Sequence, residues 1–347
     1  MTVPTPVALS HPHPEPRTYP LMLRTWTFAP WRPLVGIVLV VLGMVIVAPT
    51  IMLAVLALAV AADHRGSFQD AFSDALSLDH VTWQGMLYLN LSLASLTLVA
   101  WAVLRWVHRM RPRWLTSVRP GIRWPFFWAC FGLSLVALFA QVVVSALLPT
   151  DPNDLGGSAN HLTSRLVALG VVILLTTPLQ AIGEEYAFRG YAMQAFGGFA
   201  SWLGERLGLK ARPARLVAET SAILLSATVF ALAHGIQNAP LFLDRFSFGL
   251  MAGFVVLRTG GLEAGIALHI WNNLLAFGAA LAFGSVDDSL NVTEISWWNI
   301  PLTITQNGVY LVLVLLVARR MGVQDRTAPP AVPAAGAPVL VPTTPPV

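Results

Sequence analysis

A few residues able to exchange protons or donate hydrogen bonds stand inside otherwise apolar stretches of this sequence. Glu184, Glu185 and Arg189 interrupt one stretch, His234 closes the next in the string FALAHG, and His269 and Asn273 lie in ALHIWNN. On a helix Glu185 and Arg189, four apart, face each other and offer an internal ion pair. Glu184 sits about 100° round from Glu185 and is left free to face another element. His269 and Asn273 share a face one turn apart. Carboxylates and imidazoles held away from bulk water suit acid–base chemistry. The same side chains also serve as hydrogen-bonding glue between helices, or as a proton or substrate pathway. Two His and a Glu are in addition a ligand set for catalytic zinc.

The elements that must position these groups are membrane helices. Of the 347 residues 56% are apolar and only 11% charged, which excludes an ordinary soluble globule. One cysteine, Cys130, excludes an internal disulfide framework, a thiolate zinc cluster and an iron–sulfur site, and it reads as a small buried residue. A bilayer core of about 30 Å needs roughly 20 apolar residues per helix. Eight segments qualify: Leu34 to Ala62, Gln84 to Leu104, Trp124 to Leu148, Leu166 to Phe199, Ser221 to Asn238, Phe246 to Leu257, Leu262 to Phe283 and Ile300 to Ala318. The fold class expected is an all-α polytopic membrane protein with its active-site cavity among the fourth, fifth and seventh helices.

Charge supports that count. The arm before the first segment, the second, fourth and sixth loops and the tail hold 17 of the 21 basic residues, among them Arg105, Arg109, Lys210 and Arg319. The opposite loops hold Arg65, Arg165 and Arg245, together with ten of the 17 acids, Asp70, Asp74, Asp287 and Asp288 included. The positive-inside rule then places both termini in the cytoplasm of a multi-pass plasma-membrane protein. It also accounts for the net positive charge without a nucleic-acid partner, because the basic residues are spread along one membrane face. The first twenty residues lack a continuous apolar run, so no cleavable signal is expected. Residues 1–32 read as a disordered arm and 321–347, rich in Pro and Ala, as a disordered tail. Between them lie helices 1–3 with their loops (33–165), a core of helices 4–7 (166–284), and an outer loop with helix 8 (285–320).

With loops and tails accounting for nearly all charge, Glu184, Glu185 and Arg189 stand out, because a charge at mid-membrane costs about 2.5–3.5 kcal/mol on insertion scales. At 1.5 Å per residue His269 lies about 13 Å deep, His234 about 20 Å if its helix starts near Ser221, and Glu184 about 22 Å. The last figure requires the fourth helix to continue past the carboxylates to Phe199. Glu263, a turn from Arg258, reads as interfacial and structural.

The strings GEEYAFRGY, FALAHG and RTGGLEAGIALHIWNN resemble the three motifs of the CAAX-prenyl-protease and bacteriocin-processing (CPBP) family of intramembrane glutamic endopeptidases: EExxxR, FxxxH and HxxxN. They fall on Glu184, Glu185 and Arg189, on Phe230 and His234, and on His269 and Asn273, in the family's order and in successive hydrophobic segments. The resemblance covers roughly Leu166 to Phe283. It implies a protease acting on membrane-associated peptides or proteins within or beside the lipid bilayer. In it Glu184, helped by His234, activates water, and His269 and Asn273 hydrogen-bond the tetrahedral oxyanion. Glu185 and Arg189 support them from behind, and Phe230 packs on the His234 turn. The family's better understood members work without a metal, so no cofactor is expected; a zinc-dependent version is the alternative. A non-catalytic scaffold or bacteriocin-immunity protein, and a small transporter, use the same polar cluster differently. The transporter reading lacks an evident internal repeat. The resemblance does not carry over a substrate identity.

Overall fold

The computed structural model describes residues 12–63, 66–77, 79–149 and 159–329. Arg65 and the outermost parts of both expected tails, 1–11 and 330–347, lie outside the described residues. Eight helices are long and apolar enough to cross a membrane: α1 Trp31–Asp63, α2 Trp83–Trp106, α3 Trp124–Ser145, α4 Ser164–Arg206, α5 Ala211–Leu232, α6 Ala239–Thr259, α7 Glu263–Phe283 and α8 Asn299–Arg320. No strand occurs among the described residues; there are only two isolated bridges. Large apolar side chains such as Leu58, Phe139, Leu175 and Ile304 point outward along the spans, as a lipid-facing surface requires.

The bundle is held by close approach and by polar contacts between helices. Asn90 of α2 donates through Nδ2 to Thr176 Oγ1 (2.8 Å) and Thr177 Oγ1 (3.1 Å) of α4. Just above, Gly183 lets α2 come so near that a Cβ there would lie 2.1 Å from the Leu93 carbonyl oxygen. α4 is the axis of the molecule. It runs unbroken for 43 residues, well past the carboxylates, as their depth requires. Its second half packs as a hairpin against α5.

Three of the boundaries that differ from the hydropathy reading do so for a local reason. α6 begins at Ala239 rather than Phe246, because Asn238 Oδ1 caps it at the Leu241 N–H (3.1 Å) and Pro240 fits the first turn. Asp244 and Arg245, expected in a loop, are therefore inside a spanning helix. α5 begins ten residues before Ser221, since the Arg-bearing turn after Lys210 is helical, and it ends at Leu232. His234 thus stands on the turn beyond α5, where Gly235 adopts φ 81°, and the depth reckoned from Ser221 does not hold.

The two segments expected to be disordered are ordered where they are described. Tyr19, Met22 and Leu23 are buried against the second half of α4. The Tyr19 hydroxyl donates to the Leu115 carbonyl, and Thr18 Oγ1 donates to Glu219 Oε1 (2.8 Å). At the other end Thr18 bridges Arg326, and the Thr327 N–H donates to the Arg17 carbonyl (2.9 Å). The short apolar side chains of the arm escaped notice between prolines, yet they have a groove to fill. These contacts join both ends of the described chain on one face, which fits an even number of spans.

On that face Glu263, fully buried, takes a two-pronged grip from Arg123: Nε to Oε1 at 2.8 Å and Nη2 to Oε2 at 2.6 Å. Arg258, its expected neighbour, is not its partner. Removing one member of such a pair strands the other without solvation, at a cost of about 3–5 kcal/mol. Arg123→Ala is therefore expected to lower unfolding stability in detergent by that amount. Arg123→Leu combined with Glu263→Leu should recover most of the loss; equal destabilisation by both variants would show that the ion pair is not the cause.

Candidate functional site

Helix geometry changes at the motif itself. α4 is α-helical through Glu185 and π-helical from Tyr186 to Ala192. The wider turn is anchored by the neighbouring loop, where Thr116 Oγ1 and the Tyr186 hydroxyl are 2.7 Å apart. Such bulges are disfavoured in isolation and occur where side chains must be re-aimed.

Glu184 and Glu185 do not diverge as the 100° offset suggests; they converge on the two edges of one imidazole. His269 Nδ1 donates to Glu185 Oε1 at 2.9 Å, and Nε2 lies 3.3 Å from Glu184 Oε2. A ring with a nitrogen on each edge can meet two carboxylates that leave a helix at different angles. Glu185 Oε1 also faces Arg189 Nη1 at 3.0 Å, with both side chains fully buried. The Arg189 guanidinium has no further hydrogen-bond acceptor. It lies instead over the face of Phe230, 3.7 Å from the ring centre, with Phe248 at 5.0 Å. Phe230 is thus more than packing for the His234 turn: it supplies the π face on which the buried cation rests. Its edge also meets the rings of His234 and His269, at 4.7 and 5.9 Å between centres.

Two further residues complete the cluster. Gln180, one turn before Glu184, donates through Nε2 to Glu184 Oε1 (2.8 Å) and accepts through Oε1 from Asn273 Nδ2 (2.8 Å). Asn273 therefore reaches the carboxylate through Gln180. The i, i+4 spacing of Gln180 and Glu184 was the available signal for it. Gly265, one turn before His269, was missed for want of any chemistry of its own, yet a Cβ there would lie 2.6 Å from Glu185 Oε2. The other Glu184 oxygen, Oε2, is buried and accepts no hydrogen bond; its contact with His269 has ion-pair distance without hydrogen-bond geometry. Glu185 Oε2 is likewise buried without a hydrogen-bond donor.

His234 stands apart from this network. Its Nδ1 donates to the Phe230 carbonyl at 2.8 Å, and the residue is exposed. Since a carbonyl only accepts, Nδ1 carries the proton and Nε2 of the neutral ring keeps a lone pair. The turn it occupies borders a cleft of about 550 Å³ lined by Leu232, Gly235, Gln237 and Phe242. Among the described residues no three His, Cys, Asp or Glu side chains group as a metal would require, and carboxylates face both nitrogens of His269.

The described residues form a bundle of membrane-type helices that buries a carboxylate–imidazole cluster. The family model for type II CAAX prenyl endopeptidases, described as Rce1-like, matches residues 166–275. The resemblance carried by the three motifs is thereby borne out over the stretch that contains them. Searches of curated proteins and of solved structures return no significant match.

The tight fit at Gly265 can be tested. Gly265→Ala should push the Glu185 carboxylate off His269 and lower turnover of reconstituted protein roughly 10- to 100-fold, as displacements near 1 Å do at such sites. The unfolding temperature should change much less. Full activity in the alanine variant would show that the Glu185–His269 contact is not needed.

Proposed function

We propose that this protein hydrolyses peptide bonds of membrane-associated substrates, with Glu184 as the base that activates water. The observation that carries the reading is the convergence of motif residues from α4 and α5 on His269 of α7, with Glu184 Oε2 facing the ring at 3.3 Å and accepting no hydrogen bond. A water bound at Oε2 loses its proton to Glu184 as its oxygen attacks the peptide carbonyl carbon. The negative charge that develops on the carbonyl oxygen requires donors already in place. Asn273 uses one N–H on Gln180 and keeps a second for the oxyanion. His269, with Nδ1–H fixed on Glu185, presents Nε2–H when doubly protonated. Collapse of the tetrahedral intermediate passes the proton to the leaving nitrogen, and the basic Nε2 of His234 at the cleft can relay it.

Gln180 and Glu185 act on this chemistry indirectly. The first fixes the rotation of the Glu184 carboxylate, and the second fixes the ring of His269 with Arg189 offsetting its charge. The charge distribution supports a plasma-membrane orientation with both termini cytoplasmic. The matched family acts on CAAX prenyl proteins, so a C-terminal, lipid-modified peptide is the first substrate class to try. The ligand geometry favours a reaction without a metal.

Glu184→Gln is nearly isosteric and keeps the Gln180 contact within reach. It is expected to reduce cleavage of a reconstituted membrane peptide at least 100-fold, in the range usual for loss of a general base. Asn273→Ala should cost about 100- to 1000-fold in kcat, as loss of an oxyanion donor does. Stable, correctly inserted variants that cleave as well as the wild type would refute the mechanism. Exhaustive chelation should leave activity unchanged; loss restored by zinc alone would favour the metal-dependent version.

A further inference from the structure

Arg245 is a charged side chain inside a spanning helix that the hydrolytic chemistry above leaves unused. It lies about 9 Å into α6 from Ala239, on the 1.5 Å rise per residue. An arginine at such a position is retained against a cost in bilayer energy and ordinarily has a carboxylate partner. Here none lies within ion-pair distance among the described residues. Asp244, its neighbour in sequence and its nearest opposite charge in effect, is outside ion-pair distance and accepts a hydrogen bond from Thr303 of α8. Among the described residues the one hydrogen bond of Arg245 runs from Nη1 to Gln237 Oε1 at 3.0 Å, which leaves most of the guanidinium fork unused.

Its place relative to the site follows from helix spacing. Phe248, three residues on, shares the α6 face with Arg245, and its ring centre is 5.2 Å from that of His269. Arg245 therefore overhangs the carboxylate cluster by one turn. Gln237, which holds it, belongs to the wall of the 550 Å³ cleft, together with Leu232, Ile236, Phe242 and Leu243. An apolar cleft whose wall holds a guanidinium with no carboxylate at ion-pair distance, beside a hydrolytic centre, has the charge for an apolar peptide end that bears an anion.

We propose that Arg245 receives the free α-carboxylate of a substrate's C-terminus lying in the cleft beside His234, and so sets which peptide bond reaches Glu184. The fork geometry suits a carboxylate, which accepts two parallel N–H bonds. The inference rests on the proteolytic reading and deepens it: the enzyme would measure its cut from the chain end instead of reading an internal sequence.

The test uses full-length protein and two farnesylated CAAX heptapeptides, identical except that one ends in a carboxylate and the other in an amide. Wild type is expected to favour the acid in kcat/KM by roughly tenfold or more, the size of one charge-assisted bidentate contact. Arg245→Gln should bring the acid-to-amide ratio close to one, and Arg245→Lys should keep part of the preference. A ratio unchanged in Arg245→Gln, or absent in wild type, overturns the proposal. Binding of the same peptides to Glu184→Gln protein separates the two readings. If wild type cleaves neither peptide but Glu184→Gln binds the acid more tightly, and Glu184→Gln/Arg245→Gln does not, the receptor stands and the hydrolytic reading fails. Equal binding of both peptides, or binding of neither, overturns the receptor.

Discussion

Burial of Arg189 beside Glu185 is the constraint around which the rest of the site is arranged. Neither side chain reaches solvent, and the penalty for removing two charges from water is offset only when geometry and neighbours are favourable. Those neighbours come from three other helices. Phe230 and Phe248 lay their rings against the guanidinium, and His269 takes the carboxylate on its Nδ1 edge. Gly265 supplies the missing volume that lets α7 approach. The π-helical turn that begins at Tyr186 is a natural consequence, since it adjusts the helix where side-chain direction matters most. Glu184 inherits its position from this arrangement: with His269 held by Glu185, the second ring nitrogen faces Glu184 Oε2, while Oε1 accepts from Gln180.

The face that carries both ends of the described chain forms a folded cover continuous with the site. The arm around Tyr19 bears on Leu115, the adjoining loop reaches Tyr186 through Thr116, and the Leu262 N–H donates to the Thr116 carbonyl at 3.0 Å. From Leu262 the chain enters α7, which bears His269 two turns later. Glu263 and Arg123 clamp that entry. A buried pair of this kind adds little net stability when compared with apolar replacements, but it defines one register for the loop against the helix. The order of this cover and the placement of His269 are therefore linked through a short path of contacts.

Much of this was legible in the sequence because charge is scarce in it. With loops accounting for almost every ionisable group, Glu184, Glu185 and Arg189 could be singled out by cost alone, and hydropathy located eight spans. The same logic failed where a charge lies near a helix end. Arg245 and Asp244 pushed the expected start of α6 seven residues too late, since hydropathy penalises charge while the Asn238 cap and Pro240 act locally and regardless of it. The arm was misread for the opposite reason. Prolines suggested disorder, and no composition measure reveals that Tyr19 and Met22 have a groove waiting on α4.

The sequence by itself determined the membrane class, the number of spans and the motif residues, because those depend on residue type and on spacing within single helices. It also pointed to the pairing of Glu185 and Arg189 through their i, i+4 spacing, a contact of 3.0 Å that the π-helical turn keeps. Only the tertiary structure decided that both carboxylates share His269, that Gln180 links Asn273 to Glu184, and that Arg123 is the partner of Glu263. Each of these joins side chains whose relative position depends on how whole helices cross. A one-dimensional pattern carries no term for that.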